Sequence, residues 1–326
     1  MNLNYLSFHN RKISRIGFGC WQLAGDYDLN GRPNGYGAID PGEAVQAIHL
    51  ALDNGINFFD TAIGYGFGKS ELVLGAALKS YKGNGNGQPF ICTKYGMVLG
   101  SEGGNDDFSA VNFTESVEGS LKRLQADSLG TMLLHNPPDD FNFSALDIAP
   151  FEQMVATGTI LAYGVSCRTQ KGVANALNQG FGSVIEAVYN LLDRRYEKHF
   201  SNPLYKDKYA FICRVPLASG FISPRTLSAD RSFPANDIRN TFNHEQVEWV
   251  TRSVRKLAFL QDLEGGISVS ALRFQLSNPY NTVTIPGIKN AKQASDAIMA
   301  MRLGALSTDV INDIAEAVPE VFYKWR

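Results

Sequence analysis

Eight short apolar segments recur along this chain, at 16–19, 56–59, 89–93, 129–134, 160–166, 184–189, 209–215 and 282–285, and the stretches between most of them carry helical periodicity. The stretch 43–54 shows the pattern: Ala44, Val45, Ile48, Ala51 and Leu52 share one helical face, and Gly55 ends it. Comparable helical segments fall at 71–78, 113–124, 148–157, 171–178, 245–260 and 291–301. Strands that alternate with helices pair in parallel, because each helix carries the chain back to the starting edge of the sheet. Eight such strands meet the closure condition of a (β/α)8 TIM barrel, for which 326 residues is an ordinary length. The expected fold is therefore α/β, a (β/α)8 TIM barrel. A short N-terminal hairpin turning around His9, Asn10 and Arg11 caps its bottom, and extra helices fall at 267–276 and 309–318. No linker, charge block or low-complexity run divides the chain, so residues 1–326 read as a single domain.

In such a barrel chemistry gathers where strands end and the following loops begin. The stretch F-F-D-T-A-I-G-Y-G sets Asp60 at one strand end and presents Tyr65 on the next loop between Gly64 and Gly66. Lys94, His135 and Arg214 stand at later strand ends. An ammonium beside a phenol favours the phenolate, so Lys94 would make Tyr65 a better proton donor. Asp60 would hold the charge of Lys94, and the His135 imidazole can orient a carbonyl oxygen by a hydrogen bond. Taken singly, Asp60 also reads as a cap, His135 as a turn residue before Asn136, Pro137 and Pro138, and Lys94 as a solvated loop residue. Their recurrence at successive strand ends favours a shared site. Trp21 and Tyr36, in the long loop after the first strand, are candidates to line a substrate pocket or to pack at the barrel mouth.

A net charge of -2 without a basic tract argues against a nucleic-acid partner. Charged residues at 19%, mean hydropathy of -0.14 and no apolar run near the roughly 20 residues that span a bilayer argue against a membrane protein. The opening M-N-L-N-Y-L-S-F-H-N-R-K has no export signal, so a cytoplasmic location is expected. Cys20, Cys92, Cys167 and Cys213 lack C-x-x-C spacing and are expected to be reduced thiols, with no metal site.

Asp60, Tyr65, Lys94 and His135, in the contexts F-F-D-T-A, G-Y-G, C-T-K-Y-G and L-L-H-N-P, resemble the catalytic tetrad of the aldo-keto reductases. The likeness extends to I-G-F-G-C-W-Q, Y-G-V-S, Y-N-L-L-D-R-R, V-P-L-A-S-G-F and the final I-P-G-I-K. The resemblance implies a barrel that binds NAD(P)H without a Rossmann domain and reduces aldehydes or ketones, with Tyr65 as general acid. It also implies that Ser166 meets the nicotinamide amide. Pro216, Leu217, Ser219 and Gly220 fall in the loop over the pyrophosphate, where backbone N–H groups suit phosphate oxygens. Gly287 falls in the segment that begins the adenosine-phosphate site, and Lys289 and Gln293 where similar proteins hold a 2'-phosphate.

Several positions depart from that pattern. Cys167 replaces an asparagine and Glu186 a glutamine in the amide-recognition set, and Arg214 stands where many members stack a tyrosine on the nicotinamide. Gln293 replaces an arginine and Ala297 an asparagine near the adenosine, while Lys289 remains. NADP(H) is the expected cofactor, with NAD(H) possible, and a small carbonyl or alcohol is the expected substrate. Its pocket would be formed by loops 21–40, 97–112 and 221–241. The alternatives are a redox-sensing, cofactor-binding protein on the same scaffold, as the potassium-channel β subunits resemble reductases, and an unrelated barrel lyase or isomerase. The oligomeric state is left open.

Overall fold

The computed structural model describes residues 5–29, 31–83, 88–97, 106–228, 233 and 236–319. Parts of the loops 97–112 and 221–241, and residues 84–87 of the G-N-G-N-G turn, lie outside the described residues. The chain begins with the expected hairpin, β1 (Tyr5–Phe8) paired antiparallel with β2 (Arg11–Ser14). Its turn residues His9 and Asn10 have φ of 44° and 61°, the left-handed backbone that suits the twist of a two-residue hairpin loop.

The eight apolar segments form one parallel sheet. Its strands are β3 (Phe18–Gly19), then, after a small hairpin of β4 (Asp28–Leu29) and β5 (Arg32–Pro33), β6 (Phe58–Asp60) and β7 (Phe90–Tyr95). They continue as β8 (Leu129–His135), β9 (Ile160–Ser166), β10 (Val184–Val188), β11 (Ala210–Arg214) and β12 (Val283–Ile285). Each pairs with the next in sequence, apart from the small hairpin. The seam closes where the Gly17 N–H donates to the Thr284 carbonyl and the Gly19 N–H to the Pro286 carbonyl, both at 2.8 Å. A Cβ at Gly19 would stand 2.8 Å from the Pro286 carbonyl oxygen, so the approach needs glycine.

Helices α1 (Pro41–Asp53), α2 (Lys69–Ser80), α3 (Ala110–Leu124), α4 (Ala149–Ala156) and α5 (Gln170–Gln179) return the chain between β3 and β10. Asp40 caps α1 by accepting the Glu43 N–H at 2.9 Å, with Pro41 in the first turn. Only the single turn α6 (Glu197–Phe200) precedes β11. The long return to β12 holds α7 (Pro224–Leu227), α8 (His244–Lys256) and α9 (Gly266–Ser277), and α10 (Ala291–Leu303) and α11 (Thr308–Ala317) follow β12. The periodic stretch 245–260 is not one helix: α8 ends at Lys256, and a 3-10 segment, Ala258–Asp262, continues it. No helix among the described residues is long and apolar enough to cross a membrane.

Two apolar clusters hold the barrel. One packs the outer faces of the strands against the helices. The other fills the lower barrel, where Phe58, Phe90, Leu133, Val184 and Ile212 meet Ile13 and Phe8 of the hairpin. Phe8 sets its ring edge-on to Phe90 at 5.5 Å, and the void left among these side chains is only about 10 Å³. With that end filled, open space is found at the other end of the strands.

Candidate active site

Asp60, His135, Ser166 and Arg214 are the last residues of β6, β8, β9 and β11, and Lys94 is the penultimate residue of β7. Parallel register sets them at one rim. Tyr65 reaches the same point from the loop before α2, whose turn uses Gly66 and Gly68 at φ of 62° and 87°. The Lys94 Nζ donates to both Asp60 carboxylate oxygens at 2.6 and 2.7 Å and to the Thr61 carbonyl at 3.0 Å. It lies 3.3 Å from the Tyr65 hydroxyl and 3.4 Å from Glu186 Oε2. The Tyr65 ring stands edge-on to His135 with 5.6 Å between centroids, and Trp21 stacks on its other side at 5.5 Å.

All the charges in this cluster are buried, and their pKa values follow from that. Burial alone would strip the proton from Lys94, but the carboxylates of Asp60 and Glu186 outweigh it and hold the ammonium well above its usual value. Burial and then the charge of Glu186 push Asp60 up to about 8, against the pull of Lys94. His135 is driven well below its usual value by burial and then by Lys94, Arg214 and Arg168, which keeps the imidazole neutral at neutral pH. The expected acidification of Tyr65 is outweighed: Lys94 does pull the phenol down, but burial pushes it further up.

The sign of one consequence is fixed. A carboxyl whose folded pKa is raised binds a proton that the unfolded chain has already lost. Its contribution to stability therefore falls as pH rises from the ordinary carboxylate range, near 4, to about 8. Glu186→Gln removes a main cause of the Asp60 shift. The cofactor-free variant is expected to lose less stability between pH 5 and pH 8 than the wild type, by on the order of 1 kcal/mol in urea unfolding. Equal pH slopes for the two proteins would contradict it.

Ligand atoms of Asp60, Cys92 and Glu186 lie within 4.8 Å of one another, a grouping with metal-binding chemistry. The Lys94 ammonium already sits against both carboxylates, so the positive charge such a site asks for is supplied by the chain itself. The four cysteines are buried free thiols.

Two spaces open from this cluster. A channel leaves Asp60, Tyr65 and Glu186, passes Arg214 and 215–220, and reaches Gly287, Lys289 and Gln293. Val215, Ala218, Ser219 and Gly220 have φ of 57°, 49°, 57° and 84°. Such left-handed residues following right-handed ones turn backbone N–H groups to one side, which suits an oxyanion, and left-handed backbone at a β-branched valine is costly enough to mark a function. At the far end Lys289 Nζ donates to the Tyr36 carbonyl at 3.0 Å, and the Lys289 N–H to Gln293 Oε1 at 2.9 Å. Anion-attracting walls of backbone N–H groups and a terminal lysine, along an elongated channel ending at a proton-donating cluster, fit a dinucleotide.

Thirteen of the residues singled out in the sequence line this channel; Lys94, His135, Ser166 and Cys167 do not. The Ser166 hydroxyl is turned into the wall, donating to Glu186 Oε1 at 2.8 Å. Cys167 packs toward Gly172 of α5 and offers only its carbonyl, which accepts from Arg214 Nη2 at 3.1 Å. Arg239 was not singled out. It lines the channel while its guanidinium forks onto buried Asp237 at 2.8 and 2.7 Å, and it lies in the loop 221–241 that was expected to border the substrate pocket. The Ile238 N–H donates to the Gly35 carbonyl at 2.9 Å, tying that segment to the loop after β3.

The second space is a pocket of about 280 Å³ against Tyr65 and His135, lined by Trp21 and Tyr36 and also by Tyr27, Asn34 and Arg168. Its size lies at the low end for ligand sites, which suits a small substrate. Trp21 is held in place by Nε1 donating to the Tyr27 hydroxyl at 2.9 Å and the Asn34 carbonyl at 3.2 Å, and by Tyr36 edge-on at 5.2 Å.

Comparison with known proteins agrees with this geometry. The family model described as Aldo/keto reductase family matches residues 15–319. Aldo-keto reductase YhdN of Bacillus subtilis is 27% identical over 312 residues, 94% of this chain and 91% of the relative. A probable voltage-gated potassium channel subunit beta of Oryza sativa subsp. japonica is 26% identical over 321 residues, 94% of this chain and 93% of the relative. Among solved structures, an aldo-keto reductase from Bacillus halodurans in its holo form matches with a TM-score of 0.75 at 24% identity, covering 98% of this chain and 97% of that one.

Proposed function

The chain belongs to the aldo/keto reductase family of NAD(P)H-dependent oxidoreductases, and from that premise we propose that it reversibly reduces a small aldehyde or ketone to the alcohol, with Tyr65 as the proton donor. The observation that carries this reading is the Tyr65 hydroxyl 3.3 Å from Lys94 Nζ, beside the His135 ring and facing both the channel and the pocket. A nicotinamide, when bound, supplies hydride to the carbonyl carbon. His135, neutral, donates a hydrogen bond to the carbonyl oxygen and fixes its direction. Tyr65 gives its proton to that oxygen as negative charge builds there. Lys94 then stabilises the phenolate left behind, and Asp60 keeps Lys94 charged and in place. Burial makes the phenol reluctant to ionise in the absence of a substrate, so Lys94 acts where the charge develops. The test is oxidation of NADPH in the presence of small aldehydes, and an inert protein that still binds the cofactor would count against it.

NADP(H) is the proposed cofactor, with residues 1–326 acting as one domain in the cytoplasm. Residues 217–220 would receive the pyrophosphate. Lys289, at the far end of the channel, would meet the 2'-phosphate after leaving the Tyr36 carbonyl. Lys289→Ala is expected to weaken NADPH binding by about tenfold, one charge-assisted contact, and NADH binding much less, as read by tryptophan fluorescence titration. Equal losses for the two cofactors would remove Lys289 from that role. The likeness to channel β subunits supports a second reading, a cofactor-binding redox sensor. Turnover with simple aldehydes separates the two, since a sensor binds cofactor without appreciable turnover.

A further inference from the structure

Glu186 is buried on the channel wall, 1% exposed, and the chemistry above makes no use of it. Its Oε1 accepts the Ser166 hydroxyl at 2.8 Å. Its Oε2 has no hydrogen-bond partner and lies 3.4 Å from Lys94 Nζ, which is already engaged by both oxygens of Asp60 at 2.6 and 2.7 Å. One ammonium thus faces two carboxylates, and below about pH 8 the excess negative charge is met by a proton held on Asp60. The nearby Arg214 turns its Nη2 to Asn136 Oδ1 at 3.4 Å and to the Cys167 carbonyl at 3.1 Å, and no ion pair joins it to Glu186. A further cation in the channel beside the pair favours the fully ionised carboxylates and lets that proton leave, so a cation there is favoured. A nicotinamide ring is such a cation when oxidised and is neutral when reduced.

We propose that Glu186 makes this site hold the oxidised form of its nicotinamide cofactor more tightly than the reduced form. The proposal rests on the reading that the channel takes a nicotinamide. A glutamine in the same place could keep the bond from Ser166 but not the charge. The energetic consequence concerns the direction of reaction. Were hydride to pass from a reduced ring in the channel to the carbonyl carbon, with the proton on oxygen coming from Tyr65, the ring would become cationic in the channel that Glu186 lines. The carboxylate therefore favours the state reached by carbonyl reduction and makes the bound pair more reducing, by about 30 mV for each tenfold of binding preference.

The experiment is equilibrium binding of NADP+ and NADPH, and of NAD+ and NADH, to the wild type and to Glu186→Gln and Glu186→Asp. Tryptophan fluorescence gives the dissociation constants and circular dichroism checks the fold. The wild type is expected to prefer the oxidised member by about tenfold or more. Glu186→Gln should lose about tenfold of that preference, and Glu186→Asp, which keeps the charge, should retain most of it. A wild type that prefers the reduced form overturns the proposal without recourse to any variant. So does a Glu186→Gln protein with an unchanged ratio, or a Glu186→Asp protein that loses as much as Glu186→Gln, since packing would then be the cause. Failure of the wild type to bind either pair would overturn the nicotinamide reading and this proposal together, whereas binding with an unaltered ratio sinks only the role of Glu186.

Discussion

Tyr65→Phe is expected to lower turnover by about 100- to 10,000-fold, the usual worth of a positioned general acid, while cofactor binding stays within a few-fold of the wild type. The substitution removes one oxygen and little else. Phenylalanine can keep the stack on Trp21 and the edge contact with His135, and it forfeits only the 3.3 Å contact with Lys94 Nζ. Because burial already keeps the phenol protonated in the resting site, the variant also leaves the local charge unchanged. Steady-state oxidation of NADPH with a simple aldehyde, alongside fluorescence titration of the cofactor, reads the two effects separately. Turnover retained to within tenfold would remove Tyr65 as the proton donor. A parallel collapse of cofactor binding would show that the ring positions the channel rather than the proton.

Lys94→Met is expected to have the largest effect on stability. The side chain is fully buried, and methionine replaces much of its stem volume without its charge. Asp60 and Glu186 would then face each other with no cation between them, and breaking a buried pair in this way costs about 3–5 kcal/mol. The loss should be greatest at high pH and shrink as pH falls, because two carboxyls deprived of their cation take up protons more readily than in the unfolded chain. Urea unfolding at pH 5 and pH 8 would measure it, and Asp60→Asn in the same background should restore part of the stability. A cost under about 1 kcal/mol at pH 8 would show that the network carries little of the folding free energy. Activity should fail as well, since no group remains to stabilise the Tyr65 phenolate.

The elements and the residues that meet at the rim were legible because each leaves a local trace. Apolar runs mark the strands, spacing and caps such as Asp40 mark the helices, and Asp60, Lys94 and His135 stand within one residue of a strand end. Features that depend on register between distant strands leave no such trace. The approach of Glu186 on β10 to Lys94 on β7, the inward turn of Ser166 and the outward turn of Cys167 all follow from the closed circle of strands. The net ionisation of Tyr65 is not legible for a related reason: the sequence shows that Lys94 can neighbour the phenol and pull it down, but not how much water is excluded around it. The small hairpin of β4 and β5 was hidden because two-residue strands in a Gly- and Asn-rich loop carry no periodicity.

Among the described residues, the hairpin fills the lower barrel and the open space lies at the upper rim. With Phe8 and Ile13 wedged against Phe58 and Phe90, the lower end is closed among the described residues. Pocket and channel share Trp21, Tyr36, Tyr65, Arg214, Val215 and Ser219. A molecule seated in either space narrows the way into the other, so architecture as well as affinity bears on which enters first.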